Sequence, residues 1–311
     1  MILKFLKNNH SYLVLLFFSF SFLFFVPYYF TLSLEDIGAS SILTKILLIT
    51  TNLIIVCFHS IGLNNLIYQK DVIKKQNFIL PFVFMLIQTS FLINTKTILY
   101  SFALLFFLNY LLSLYKQRDP FSNVFNAGLI ISALSILGEP EILCLFILIP
   151  ISMIIFRNLN WRSLVILLIS IPVPYCFIWT YQNLLDMNIY FPNFNFKFIV
   201  ISNSILSQEE KIWFIVLCLI SLISLYELFR WLYKKSIRSR ESFSIILFYF
   251  ITSIILFLLT NKIIFIGISL SPLSVIIANY FAYSKKNTLS NLLFIILFFS
   301  AIFYRISTIN I

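Results

Sequence analysis

The feature that most constrains this chain is a spacing: runs of about 16 to 22 apolar residues recur from one end to the other, separated by short polar punctuation. A bilayer core of roughly 30 Å needs about 20 apolar residues at 1.5 Å rise per residue, so each run has the length of one membrane crossing. Composition agrees. Of 311 residues, 61% are hydrophobic and 11% charged, whereas a soluble domain is about 25% charged. A water-facing surface cannot be built from that inventory. Transmembrane strands require polarity that alternates over about ten residues, and stretches such as 212–220 are apolar on every side. Helices satisfy their own backbone polar groups in hydrocarbon and are the other spanning element. The expected fold class is therefore all-α: a polytopic transmembrane helix bundle, taken as one domain over 1–311.

The spacing predicts about eleven spanning helices, over 11–31, 41–67, 78–93, 97–115, 121–137, 141–156, 163–182, 211–230, 242–260, 263–282 and 289–304. With the N-terminus in the cytoplasm, sixteen of the 22 basic residues fall in inner connections and six in outer ones. That asymmetry sets the orientation by the positive-inside rule, and an odd number of spans leaves the C-terminus outside. The net charge of +11 is dispersed through short connections rather than gathered on one face, which argues against a nucleic-acid partner. The first run, Ser11 to Phe30, exceeds the core of a secretory signal and has no small-x-small cleavage pattern after it, so it reads as an anchor.

One connection, about 183–210, is long and falls outside. Phe194, Phe196 and Phe198 alternate there with Asn195 and Lys197, which suits a strand or an interfacial segment. No Gly-rich phosphate loop or internal repeat is visible, and no cofactor or metal is implied. The four cysteines, Cys57, Cys144, Cys176 and Cys218, sit in separate helices at no ligand spacing and read as buried small hydrophobes without disulfides.

His59, with no acid at helical spacing, reads as an interhelical hydrogen bonder ahead of a proton relay. Asn52, Gln88, Asn109, Asn126 and Asn279 must face the bundle, mostly as glue between helices. Glu227 has Arg230 at i+3, an arrangement for a local ion pair. The outer acids are the best candidates for chemistry. Glu35 and Asp36 follow the first span, and Glu139-Pro140-Glu141 forms a tight turn between the fifth and sixth. Paired carboxylates at a membrane surface can serve as a general base, so Glu139, Glu35 and Asp36 are the expected catalytic residues if the chain is an enzyme. Such an acid in the first outer loop is also found in membrane glycosyltransferases that use polyprenyl-phosphate sugars, although this loop is much shorter. On the inner side, Arg157, Trp161 and Arg162 suit an interfacial anchor that can hold anionic lipid. Pro172 and Pro174 remove backbone donors in the seventh span and predict a kink or break.

From about Tyr68 to Tyr181 the order of features resembles an uncharacterised family of polytopic inner-membrane proteins of Bacteroidota. The matching pieces are the basic connection Lys70 to Asn77, Leu114-Tyr115-Lys116 leading to Phe125-Asn126-Ala127-Gly128, Asn160-Trp161-Arg162, and Pro172 to Tyr175. The family favours Asp where Asn126 stands, and Asn cannot act as a base. The resemblance implies a bacterial inner (plasma) membrane location and supplies no activity. Three functional classes follow: a non-enzymatic component of a membrane or envelope assembly with a membrane protein partner, which is preferred; an enzyme or flippase for lipid-linked (polyprenyl-phosphate) envelope precursors; and a small-solute transporter built around the proline-broken span.

Overall fold

The computed structural model describes residues 2–7, 11–31, 42–75, 77–90, 94–117, 119–186, 192–194, 196, 208–284 and 287–309. Among these there is no strand. The helices run α1 (Ile2–Leu6), α2 (Ser11–Thr31), α3 (Ile42–Gln69), α4 (Ile79–Ser90), α5 (Thr95–Ser113) and α6 (Phe121–Ile136). A 3₁₀ helix (Pro140–Ile147) leads into α7 (Leu148–Ile155), followed by α8 (Trp161–Ser170) and α9 (Pro172–Leu184). The chain continues through α10 (Gln208–Leu232), α11 (Ile237–Thr260), α12 (Ile263–Tyr283) and α13 (Asn287–Ile309).

Each expected span coincides with helix, and the largest boundary shift is five residues, at Ile237 against 242 and Ile309 against 304. Among the described residues, seven helices are long and apolar enough to cross a membrane: α3, α5, α8 with α9, α10, α11, α12 and α13. Shorter apolar helices cover Tyr12–Leu23, Ile79–Ser90, Phe121–Ile136 and Pro140–Ile155.

The chain has only five glycines, yet its helices must stop sharply. Several do so on one left-handed residue that is not glycine: Asp71, Lys116, Arg157, Asp186 and Asn261, with φ between 50° and 57°. After α3 the Asp71 N–H donates to Tyr68 O and the Val72 N–H to Ile67 O, both at 3.0 Å. The same pair of bonds follows α7, from Arg157 N to Ile154 O and from Asn158 N to Met153 O. This is the Schellman pattern, which supplies donors to carbonyls that a helix end leaves bare.

The chain divides into two compact units. The first comprises residues 1–99, 201–235 and 270–311. In it α2 packs on α3, α4 and α13, α3 packs on α4, and α10 lies along α13. The aromatic side chains interlock: Phe17 and Phe20 each have ring centroids 5.5 Å from Phe82, and Phe20 stacks on Phe298 at 5.7 Å. Trp213 near the start of α10 stacks on Tyr304 near the end of α13, so these two helices run antiparallel.

The second unit comprises 100–200 and 236–269. Its hub is α6, which packs on the 3₁₀ helix, α7, α8 and α9, while α11 packs on the 3₁₀ helix and α7. Gly128 of α6 sits where a side chain has no room: an added Cβ would lie 2.8 Å from Ser170 Cβ. The two prolines coincide with a division of the expected seventh span into two helical runs. Helix α8 ends at Ser170 and α9 begins at Pro172, with Ile171 between them still in right-handed helical conformation. Pro174 has no N–H to offer the Ser170 carbonyl four residues earlier, and Ser132 Oγ of α6 stands 3.3 Å from that oxygen.

Two expectations are corrected. The sixth segment is not uniformly α-helical but opens as eight residues of 3₁₀ helix, beginning at Pro140. Of the four cysteines only Cys57 is buried; Cys144, Cys176 and Cys218 are exposed, though all four are free thiols. A small apolar side chain is penalised for exposure only where the surface meets water, so the burial habit of cysteine in soluble proteins does not transfer.

Gly128→Ala should lower stability by about 1 to 3 kcal/mol, the usual cost of overpacking. Adding Ser170→Gly should recover most of that loss in a thermal-unfolding assay in detergent, since it removes the atoms the new methyl would strike.

Candidate functional site at the Glu139 turn

The turn after α6 is built from backbone constraints. Gly138 adopts φ 109°, a conformation that L side chains rarely reach. Glu139 follows in a non-helical conformation (φ −131°, ψ 75°), and Pro140 occupies the first position of the 3₁₀ helix, where no N–H is needed. Glu141 then lies in the first helical turn, where a negative charge is favoured.

A second tight connection meets this turn within the same unit. Asn261 closes α11 in left-handed conformation, its N–H donating to Phe257 O at 2.8 Å, and Lys262 follows directly before α12. The Lys262 ammonium donates to both oxygens of Glu141, at 2.8 Å to Oε1 and 2.7 Å to Oε2. It also stands 2.9 Å from Glu139 Oε2 as an ion pair. Glu141 is completely buried, Glu139 nearly so, and the Lys262 side chain keeps 29% exposure. Burial opposes the lysine's charge, but the hydrogen bonds and nearby carboxylates outweigh it, and the ammonium is held above the ordinary lysine value. Its contribution to stability is therefore intact below the ordinary lysine pKa and lost only as pH rises through the higher folded value.

Of the expected site residues, the structure places Glu139 in this triad. Glu35 and Asp36 lie outside the described residues. Sequence reasoning did not find Lys262 as the partner; the available signal was its position in a two-residue connection between the ninth and tenth spans, assigned to the same side as Glu139.

The first unit carries its own polar contacts. His59 is buried on α3, its Nε2 3.1 Å from Ser271 Oγ of α12 and its ring 4.5 Å from Phe84 of α4. It is the interhelical hydrogen bonder that the sequence suggested. Asn52 Nδ2 donates to Thr95 Oγ1 at 2.8 Å, joining α3 to the start of α5. Gln88 departs from the expected role as glue: it is buried on α4, yet neither polar atom of its side chain has a hydrogen-bond partner among the described residues. In the second unit, half-buried Asn126 reaches only Ser122 of its own helix, at 3.5 Å.

At the opposite end of α12 from Lys262, Tyr283 gathers three connections. The Lys74 N–H donates to its hydroxyl at 3.0 Å, Trp231 lies 5.2 Å from its ring, and Lys235 Nζ stands 4.6 Å above it. Lys235 also donates to Asn279 Oδ1 at 2.6 Å. Burial pushes the Lys235 ammonium down to about 7. All three connections were assigned to the inner side by their basic residues.

No family model, curated protein or solved structure matches the chain.

Lys262→Met should destabilise strongly, by about 3 kcal/mol, because it strands the buried Glu141 carboxylate, and adding Glu141→Gln should recover part of the loss. Thermal midpoints of the single and double variants check this. Labelling of Lys235 by an amine-reactive reagent, followed by peptide mass spectrometry, should titrate with a midpoint near pH 7.

Proposed function

We propose that this chain is a non-enzymatic component of a bacterial inner-membrane or envelope assembly. In this reading it crosses the bilayer about eleven times, with its N-terminus in the cytoplasm and its C-terminus outside. The observation that carries the non-enzymatic part is the Lys262 triad. Glu139, the expected catalytic acid among the described residues, and its neighbour Glu141 are engaged by one ammonium that ties the α6 turn to the α11–α12 connection. A carboxylate held in such an ion pair serves as a clasp between the two connections.

The topology is supported by which connections meet. Lys262 and Glu139, both assigned outside, touch in the second unit. In that unit the connections assigned inside also converge: Asn158 Nδ2 donates to Leu114 O at 2.7 Å, and Arg238 stands 5.3 Å from the Tyr115 ring. In the first unit the basic connections meet at Tyr283. The shorter apolar helices fill the remaining expected spans. Trp161, exposed at the start of α8 with the Arg162 guanidinium 5.9 Å from its ring, suits the anionic-lipid anchor expected at Arg157, Trp161 and Arg162. The Bacteroidota resemblance belongs to the same proposal.

Two measurements test it. In a cysteine-free background, a single cysteine at Asn195 should react with an impermeant maleimide in intact spheroplasts, and one at Ser236 only after permeabilisation; equal labelling would refute the orientation. Glu139→Gln should impair the cell only in proportion to lost membrane abundance. Full abundance with lost function would establish a catalytic acid instead.

A further inference from the structure

A groove of about 670 Å³ opens in the first unit where the C-terminal half of α10 faces the end of α12 and the start of α13. Its walls change character along the helix. Leu222 and Ile223 make the earlier end on α10 apolar, Trp231 and Tyr280 stand further along α10 and α12, and Arg230 and Lys234 bring two cations to the other end, where antiparallel α13 begins with Leu289. From Leu222 to Leu232 the groove wall runs about 15 Å at 1.5 Å per residue. Glu227 lies 4.0 Å from Arg230 and offsets one charge, so Glu227, Arg230 and Lys234 together leave the lining at +1. Arg230 keeps 70% of its side chain exposed, so the ion pair does not close it off. The Ser284 hydroxyl also lines the groove, with no hydrogen-bond partner among the described residues.

We propose that this groove binds an anionic phospholipid, with one acyl chain along Leu222 and Ile223 and the phosphate diester against Arg230, Lys234 and Ser284. The order of the residues selects this occupant. A free phosphate would leave the apolar wall unused, and an acidic peptide would place polar backbone against Leu222 and Ile223, where backbone groups lack partners. An amphiphile matches both ends at once. Guanidinium offers a planar fork to phosphate oxygens, the ammonium adds a point charge, and Trp and Tyr favour headgroup depth. Lys235, on the Asn279 and Tyr283 side chains below, keeps the local field positive when protonated. The inference stands apart from the non-enzymatic reading, because the groove and the Lys262 triad share no residue.

The test uses the full chain in nanodiscs of phosphatidylcholine with and without phosphatidylglycerol. Bound lipid is counted by native mass spectrometry after release, and thermal midpoints are measured alongside. Wild type should retain phosphatidylglycerol preferentially and melt higher in its presence. Arg230→Gln with Lys234→Gln should weaken that retention about thirtyfold, at about a factor of five per basic residue near a membrane surface. Ile223→Trp keeps every charge and fills the apolar wall, so it should also lose the lipid, and it decides the matter if the double charge variant fails to fold. Unchanged preference in Arg230→Gln/Lys234→Gln or in Ile223→Trp overturns the proposal. So does equal stabilisation by inorganic phosphate alone, or displacement of the lipid by an acidic peptide at equal concentration.

Discussion

Where the surroundings are apolar, a polar atom can be satisfied only by another atom of the protein, and most of this structure follows from that constraint. It explains why the apolar runs among the described residues are almost entirely helical. It also explains why helices end in left-handed residues whose successors turn their N–H groups back onto bare carbonyls. The many serines obey it too. Ser21, Ser90, Ser224 and Ser253 each bond a carbonyl of the preceding turn in their own helix. Ser132 reaches across to the carbonyl that Pro174 leaves without a donor.

The same constraint sorts the charged residues into two kinds of environment. Lys262 is held charged because two carboxylates converge on it, and that ties two helix connections into one rigid corner. Lys235 has a neutral amide and an aromatic ring for neighbours, so its charge is held less firmly. One lysine acts as a structural clasp, while the other stands at the edge of a cationic, aromatic surface that can accommodate an outside charge.

Much of the architecture was legible in the sequence because the period of apolar runs is set by bilayer thickness, a quantity that does not depend on tertiary detail. Helix positions over Ile263–Tyr283 and Phe121–Ile136 followed almost to the residue. His59 was also legible as a hydrogen bonder, although Ser271 as its partner was not. Pairings of this kind depend on which helices are neighbours, and residue spacing carries no such information. Glu139 and Glu141 illustrate the limit: their proximity to each other was evident, while their neutralising lysine lies 121 positions from Glu141. The 3₁₀ opening of the sixth segment and the exposed cysteines were missed for a different reason. Both depend on local geometry and on which helix face meets the surroundings, and in a run apolar on all sides the sequence does not mark that face.

The interleaving of the first unit has a consequence for synthesis. His59 and Ser271 stand 212 residues apart, and Lys74 and Tyr283 209 apart. At about 5 to 20 residues per second, His59 leaves the ribosome some 10 to 40 s before its partner is made. The second unit draws 101 consecutive residues from one stretch of chain, Tyr100 to Val200, and α6 can meet α7, α8 and α9 as they emerge. The first unit must hold α1 to α4 in waiting, with the His59 imidazole short of Ser271, until α12 and α13 arrive. Its assembly is thus timed by the synthesis of α12 and α13, and a chain that stalls before α12 would leave those early helices incomplete and open to whatever partner or quality-control factor the cell provides.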